Sequence, residues 1–367
     1  MSQYRQTAPW GAAMAMNKRL GQPPIIALDL LRGSAAFLVL LVHTRAEAFV
    51  EYGALPVTQK TILVAVLFGL TRLGQEAVMA FFVLSGFLVG GQIIKRLLAA
   101  KFDLRHYAID RCTRIFIPLV PACLFAALMG LLVSHEPVHP GILLANIAGL
   151  NGVLAPTLDN DSPLWTLSYE IWFYIVGGAV GAFAVGHRPI FAFVVLGIAA
   201  LVFSLLGAQF LLFWGLGAAT VLLLNVPYRA LIFSVGACIA LSGCVLFEIG
   251  FASKSFVNIT ILPPLASETL ICAGIAAMLP FLCSERVNQA IAFLRVPAGA
   301  LGAMSYSLYL FHYPVNVALD KIFPTATEIN LTSVGYFVAR IAVCLLASTA
   351  FYWCFERNTG AIRRLLR

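Results

Sequence analysis

Predominantly apolar runs of about 20 residues recur along the whole chain, and each is long enough for one helical crossing of a bilayer. Ten are legible, over approximately residues 25–46, 76–94, 115–134, 166–185, 190–206, 208–224, 230–250, 265–284, 300–322 and 333–355. In hydrocarbon every backbone N–H and C=O must find its partner within the chain, so single spanning segments of this length must be α-helices. The expected fold class is therefore all-α, a polytopic integral membrane protein with about ten transmembrane helices. Composition points the same way. Hydrophobic residues make up 61% of the chain and charged residues 11%, against about 25% charged in a soluble domain. A globule of 367 residues with so few charges could not cover its own surface. The run 62–71 is apolar but short, and reads as an external re-entrant or interfacial helix. Only a tight turn at Gly207 separates the fifth and sixth runs. No internal repeat marks the two-fold design of many transporters.

The net charge of +8 does not indicate nucleic acid, because the basic residues sit at the ends of apolar segments and not along one face. Their distribution instead orients the chain. With both termini in the cytosol, 17 of the 24 lysines and arginines fall inside and five outside; Arg32 and Arg340 lie within spans. That asymmetry is the positive-inside pattern. The expected location is the inner cell membrane, multi-pass, with membrane lipids as surroundings. Residues 1–24 read as a cytosolic arm, 25–357 as the transmembrane domain and 358–367 as a short basic cytosolic tail. Asp29 and Arg32 interrupt the first apolar run and no small-residue cleavage site follows, so it reads as a spanning helix and not as a cleaved signal. The eight cysteines form no CxxC or CxxH pair, so neither a zinc site nor a redox dithiol is expected, and no metal site is assigned.

Ionisable groups inside spans are costly and are functional candidates by default. The first span holds Asp29, Arg32 and His43. Arg32 and His43 are eleven residues apart, three helical turns, so both project from one face about 16 Å apart along the axis. Arg32 then lies in the inner half and His43 near the outer end; snorkelling to the two interfaces is the alternative account. In the second span, Ser85-Gly86 suits close helix packing at least as well as nucleophilic chemistry, which would need a base beside the serine. Arg111 and Arg114 are three apart on one helical face in a basic segment before Pro118. Two guanidinium forks at a membrane entrance suit a polyphosphate; lipid head-group anchoring is equally open. Glu170 falls about one turn into the fourth span, below the outer surface. His312 lies in the outer half of the ninth, beside Pro314, at a depth similar to that of His43.

These segments together resemble the acyltransferase-3 family of membrane O-acyltransferases. Arg32 and His43 match its arginine, ten residues, histidine motif. Phe81 to Phe87 is similar to its FFxxSGF segment, and Arg111-Cys112-Thr113-Arg114 to its RxxR motif. Trp165 to Tyr174 resembles WSLSxExxFY, Leu301 to Pro314 resembles LGxxSYxLYLxHxP, and Phe351 to Arg357 resembles its closing YxxxEx signal. The motifs stand in family order over nearly the whole chain. One departure is Ile171 after Glu170, where the family often has a second acid. The resemblance implies an acyl-CoA co-substrate on the cytosolic side, acetyl-CoA being commonest, and acylation of an extracytoplasmic acceptor such as a carbohydrate or lipid-linked sugar. It carries the family's functional roles to Arg32, His43, Arg111 and Arg114. An appended esterase-like domain, found in some relatives, is not expected.

The expected catalytic set is thus His43, Arg32, Glu170 and His312, and the expected acyl-CoA-binding set is Arg111, Arg114 and Ser85. Histidine, with a reference pKa of about 6.5, suits general-base work at neutral pH. The competing reading is a transporter or flippase for an anionic solute or lipid-linked glycan, with Asp29, Arg32 and His43 on its pathway. A glycerolipid-type HxxxxD site is absent, because His106 and Asp110 stand one residue too close.

Overall fold

The computed structural model describes residues 25–135, 137–257 and 263–367. The expected arm 1–24 lies outside the described residues. Among these residues helices joined by loops make up the structure, with no strands, and eight helices are long and apolar enough to cross a membrane. They cover eight of the ten expected runs. The run 208–224 is a shorter apolar helix, Gln209–Ala219, tightened into a 3₁₀ turn at Thr220–Leu223. The run 300–322 lies largely within the helix Arg295–Leu319, which is long enough but carries buried Ser305, Ser307, His312 and Asn316 along its length. Gly207 has φ +123°, where a side chain would be strained, and it caps Pro189–Leu206 so that the chain turns at once into the next helix.

One boundary differs from the sequence-based expectation. The helix of the third expected run, 115–134, begins earlier, at Leu104, and includes Arg111 and Arg114. They stand two turns and more into the helix Leu104–Met129. Asp103 starts that helix early, its carboxylate accepting the His106 backbone N–H at 2.7 Å. That hydrogen bond holds the Asp103 carboxyl below its usual range. The expected tail 358–367 is likewise ordered, as the helix Thr359–Leu366.

The chain forms two compact units. Among the described residues, the first comprises 25–32 with Val78–Tyr107 and Trp172–Gly302. Its helices approach through small residues, as membrane helices do where no hydrophobic force separates them from lipid. Gly86 opens a π-turn, Gly86–Gly90, that lies against Gln209–Ala219. A Cβ on Gly86 would land on the Trp214 carbonyl, and one on Gly217 on the Val83 carbonyl. Phe173 stacks between Phe203 and Trp214 behind this contact. Arg229–Val257 and Pro264–Leu282 pair in the same way at Gly236, Gly243 and Gly274.

The second unit comprises Gly33–Ala77, Ala108–Ile171 and Ala303–Arg367. The helix Ile62–Leu70, capped by the Thr61 hydroxyl, has nine residues and is too short to span. Phe68 joins Phe49 and Leu55 in a small apolar core. The loop before Trp165 is tied down by buried amides. Asn146 donates to the Ile142 and Pro156 carbonyls, and Asn151 donates to Leu164 O while accepting from Ser168. A loop with this many internal bonds holds one shape.

Candidate active site

His43 and His312 meet in the second unit. Each lies near the C-terminal end of its helix, Ile26–Ala48 and Arg295–Leu319. Their ring centroids are 5.3 Å apart, and Tyr313 meets His43 edge-on at 5.1 Å. His312 is fully buried. Its Nδ1 lies 2.9 Å from both the Leu308 and the Tyr309 carbonyl oxygens. A carbonyl can only accept, so Nδ1 carries the hydrogen. In the neutral ring the lone pair then sits on Nε2, which is buried with no hydrogen-bond partner among the described residues. Buried polar atoms are nearly always satisfied. A bare imidazole lone pair is what a base, or an acceptor for a substrate hydroxyl, requires.

The segment 159–170 is fastened beside this pair. The Tyr309 hydroxyl lies 2.7 Å from Thr166 Oγ1 and donates to Pro163 O at 3.1 Å. Glu170, one turn beyond Thr166, is half-buried and within electrostatic reach of Tyr309. Asp161 was not among the expected site residues. It is fully buried, neither carboxylate oxygen has a hydrogen-bond partner among the described residues, and it is within electrostatic reach of Tyr309 and Tyr313. In sequence it reads as one more polar loop residue. Only the folding of that loop buries it.

The basic end of the same unit centres on Arg114. Its Nη1 donates to Glu356 Oε1 at 2.5 Å, and its guanidinium lies over the Tyr306 ring, 5.4 Å from the centroid. The second Glu356 oxygen accepts from the Ser307 N–H at 2.9 Å and the Ser307 hydroxyl at 2.6 Å. Glu356 is therefore a buried anchor, also missed in sequence although it stands in the closing Phe351–Arg357 segment. The Arg114 side chain stays 32% exposed. Arg111, one turn earlier, is half-buried.

Arg32 and Ser85 belong to the first unit. Arg32 pairs with Asp29 one turn back at 3.2 Å, and Ser85 accepts the Trp214 indole N–H at 3.3 Å. Arg340, buried in the second unit, is 1% exposed and bonds to Asp320 at 2.8 Å and to the Asn316 and Phe323 carbonyls. Among the described residues no group of three or more His, Cys, Asp or Glu converges to hold a metal ion.

A family model described as an acyltransferase domain matches residues 25–353, nearly the whole chain. No curated protein and no solved structure matches it.

Proposed function

The chain belongs to the acyltransferase-3 family, and on that premise we propose that it is a membrane O-acyltransferase. The reading is transfer of an acyl group, acetyl in the simplest case, from cytosolic acyl-CoA to a hydroxyl of an extracytoplasmic carbohydrate or lipid-linked sugar. The observation that carries it is the His43–His312 pair, two imidazoles in ring contact, with His312 Nε2 buried and without a hydrogen-bond partner among the described residues. His43 takes the acceptor hydroxyl's proton as that oxygen attacks the thioester carbonyl. A C–O bond forms, the C–S bond breaks, and the proton passes to the departing CoA thiolate, which regenerates the base. His312, its tautomer fixed by two backbone carbonyls, orients His43 or the incoming hydroxyl. Arg111 and Arg114 take phosphate oxygens of CoA. Placing both termini in the cytosol of the inner membrane follows from the basic asymmetry.

The test is mass spectrometry of surface glycans and lipids from cells with and without the protein. Loss of one acyl mass from a defined acceptor is expected. Identical acylation in both, with the protein shown to be expressed, would refute the reading.

A further inference from the structure

We infer that Asp161 binds the acceptor: its carboxylate takes the hydrogen of a second hydroxyl, on a carbon next to the one that is acylated. The inference rests on the acyltransferase reading and narrows its acceptor to a molecule with neighbouring free hydroxyls, as a sugar ring has.

The loop around Asp161 has no slack. Asn146 Oδ1 accepts the Leu158 N–H at 3.2 Å, and the Ser134 hydroxyl donates to Asn160 Oδ1 at 2.9 Å. The Asp161 N–H donates to Leu158 O at 2.9 Å, and Leu164 O accepts from Asn151 at 3.0 Å. The chain is thus tied on both sides of Asp161. Its carboxylate, fully buried, nonetheless has no hydrogen-bond partner among the described residues. Held this way, it cannot turn out to water. A buried polar group without a partner is costly, and a charged one most of all. Packing therefore gives no reason for a carboxylate at this position, and a ligand does.

The position is beside the histidine pair. Pro163, two residues on and so at most about 7 Å along the chain, accepts the Tyr309 hydroxyl at 3.1 Å. The Tyr309 ring centroid is 6.2 Å from that of His312. The charge of Asp161 also reaches Tyr313, the ring that meets His43 edge-on. One turn beyond His312, Asn316 Nδ2 donates at 3.1 Å to the hydroxyl of Thr44, the neighbour of His43. Asn316 Oδ1 is buried and has no hydrogen-bond partner among the described residues.

The Asp161 carboxylate, His312 Nε2 and Asn316 Oδ1 are all acceptors. What completes them is a molecule that donates several hydrogens. A polyol does so: one hydroxyl gives its proton to the base, and the hydroxyl on the next carbon donates to the carboxylate. An anionic group there would meet a like charge. An alcohol with one hydroxyl would leave Asp161 unsatisfied, which is how a polar site rejects an analogue lacking a hydroxyl.

The experiment uses the full chain as wild type, Asp161→Asn and Asp161→Leu. Each is purified for melting temperature and acetyl-CoA binding, and each is expressed in cells without the protein for mass spectrometry of surface glycans and lipids. Asp161→Asn keeps the shape and one acceptor oxygen. It is expected to melt at or above the wild-type temperature, to bind acetyl-CoA unchanged, and to lower acylation roughly tenfold, as the loss of one charge-assisted contact does. Asp161→Leu is expected to abolish acylation. Fragmentation of the wild-type product should place the acyl group beside a free hydroxyl. Wild-type acylation in Asp161→Asn or Asp161→Leu overturns the inference. So does a lower melting temperature in Asp161→Asn, which marks a structural carboxylate, and so does weakened acetyl-CoA binding, which moves Asp161 to the donor. An acyl group on a hydroxyl with no free neighbour also overturns it. If wild-type cells show no acyl mass, the acyltransferase reading itself fails and the inference falls with it, a comparison in which the variants play no part.

Discussion

Replacing Glu356 should destabilise the second unit through Arg114 and Ser307, and the size can be worked from the contacts. The Glu356 carboxylate is 1% exposed and holds three hydrogens, from Arg114 Nη1 and from the Ser307 N–H and O–H. Removing one partner of a buried ion pair costs about 3–5 kcal/mol, because the other charge is left uncompensated. Arg114 is 32% exposed and can turn part of its guanidinium to water, which favours the low end. Ser307 cannot: it is fully buried, and each orphaned donor costs about 1–3 kcal/mol. Glu356→Ala should therefore cost about 4 kcal/mol. Glu356→Gln keeps an acceptor for Ser307 and loses only the charge, so it should cost about 2 kcal/mol. The assay is reversible unfolding in mixed detergent micelles, run as a double-mutant cycle with Arg114→Gln. A coupling of about 1.5–3 kcal/mol is expected for a charge-assisted contact. Coupling below about 0.5 kcal/mol, within the range of independent sites, would refute the claim that Glu356 holds Arg114.

Three further outcomes are expected. His43→Ala should abolish acyl transfer while leaving membrane insertion and CoA binding intact; transfer near the wild-type rate would remove His43 from the mechanism. Arg111→Lys should weaken acyl-CoA binding nearly as much as Arg111→Ala, roughly ten- to a hundredfold, because lysine lacks the planar fork; unchanged affinity would favour lipid head-group anchoring. A reporter active only in the cytosol should be active after Arg367 and silent near Asp159, and the same signal at both sites would refute the orientation.

The all-α membrane fold was legible in the sequence because hydropathy is a local property. Whether some 20 residues can lie in lipid depends on those residues and not on what they pack against. The same locality places Arg32 and His43 on one helical face, since eleven residues make three turns whatever surrounds them. The family motifs also mark most of the polar positions that the second unit gathers, including His43, His312, Arg111 and Arg114. What each side chain does there is set by partners far away in the chain. Arg114 is committed to Glu356, 242 positions on. Ser85, which by pattern suits either chemistry or packing, bonds to Trp214, 129 positions on. The bare Nε2 of His312 follows from which carbonyls its Nδ1 meets. Asp161 and the docked helix Thr359–Leu366 are the furthest cases. One becomes a buried carboxylate only when the amides of Asn146 and Asn151 fold its loop. The other is held by Asp110, which pairs with Arg363 and Arg367. Burial, hydrogen bonding and charge compensation are properties of neighbourhoods in space, and neighbours hundreds of residues apart are brought together only by tertiary packing.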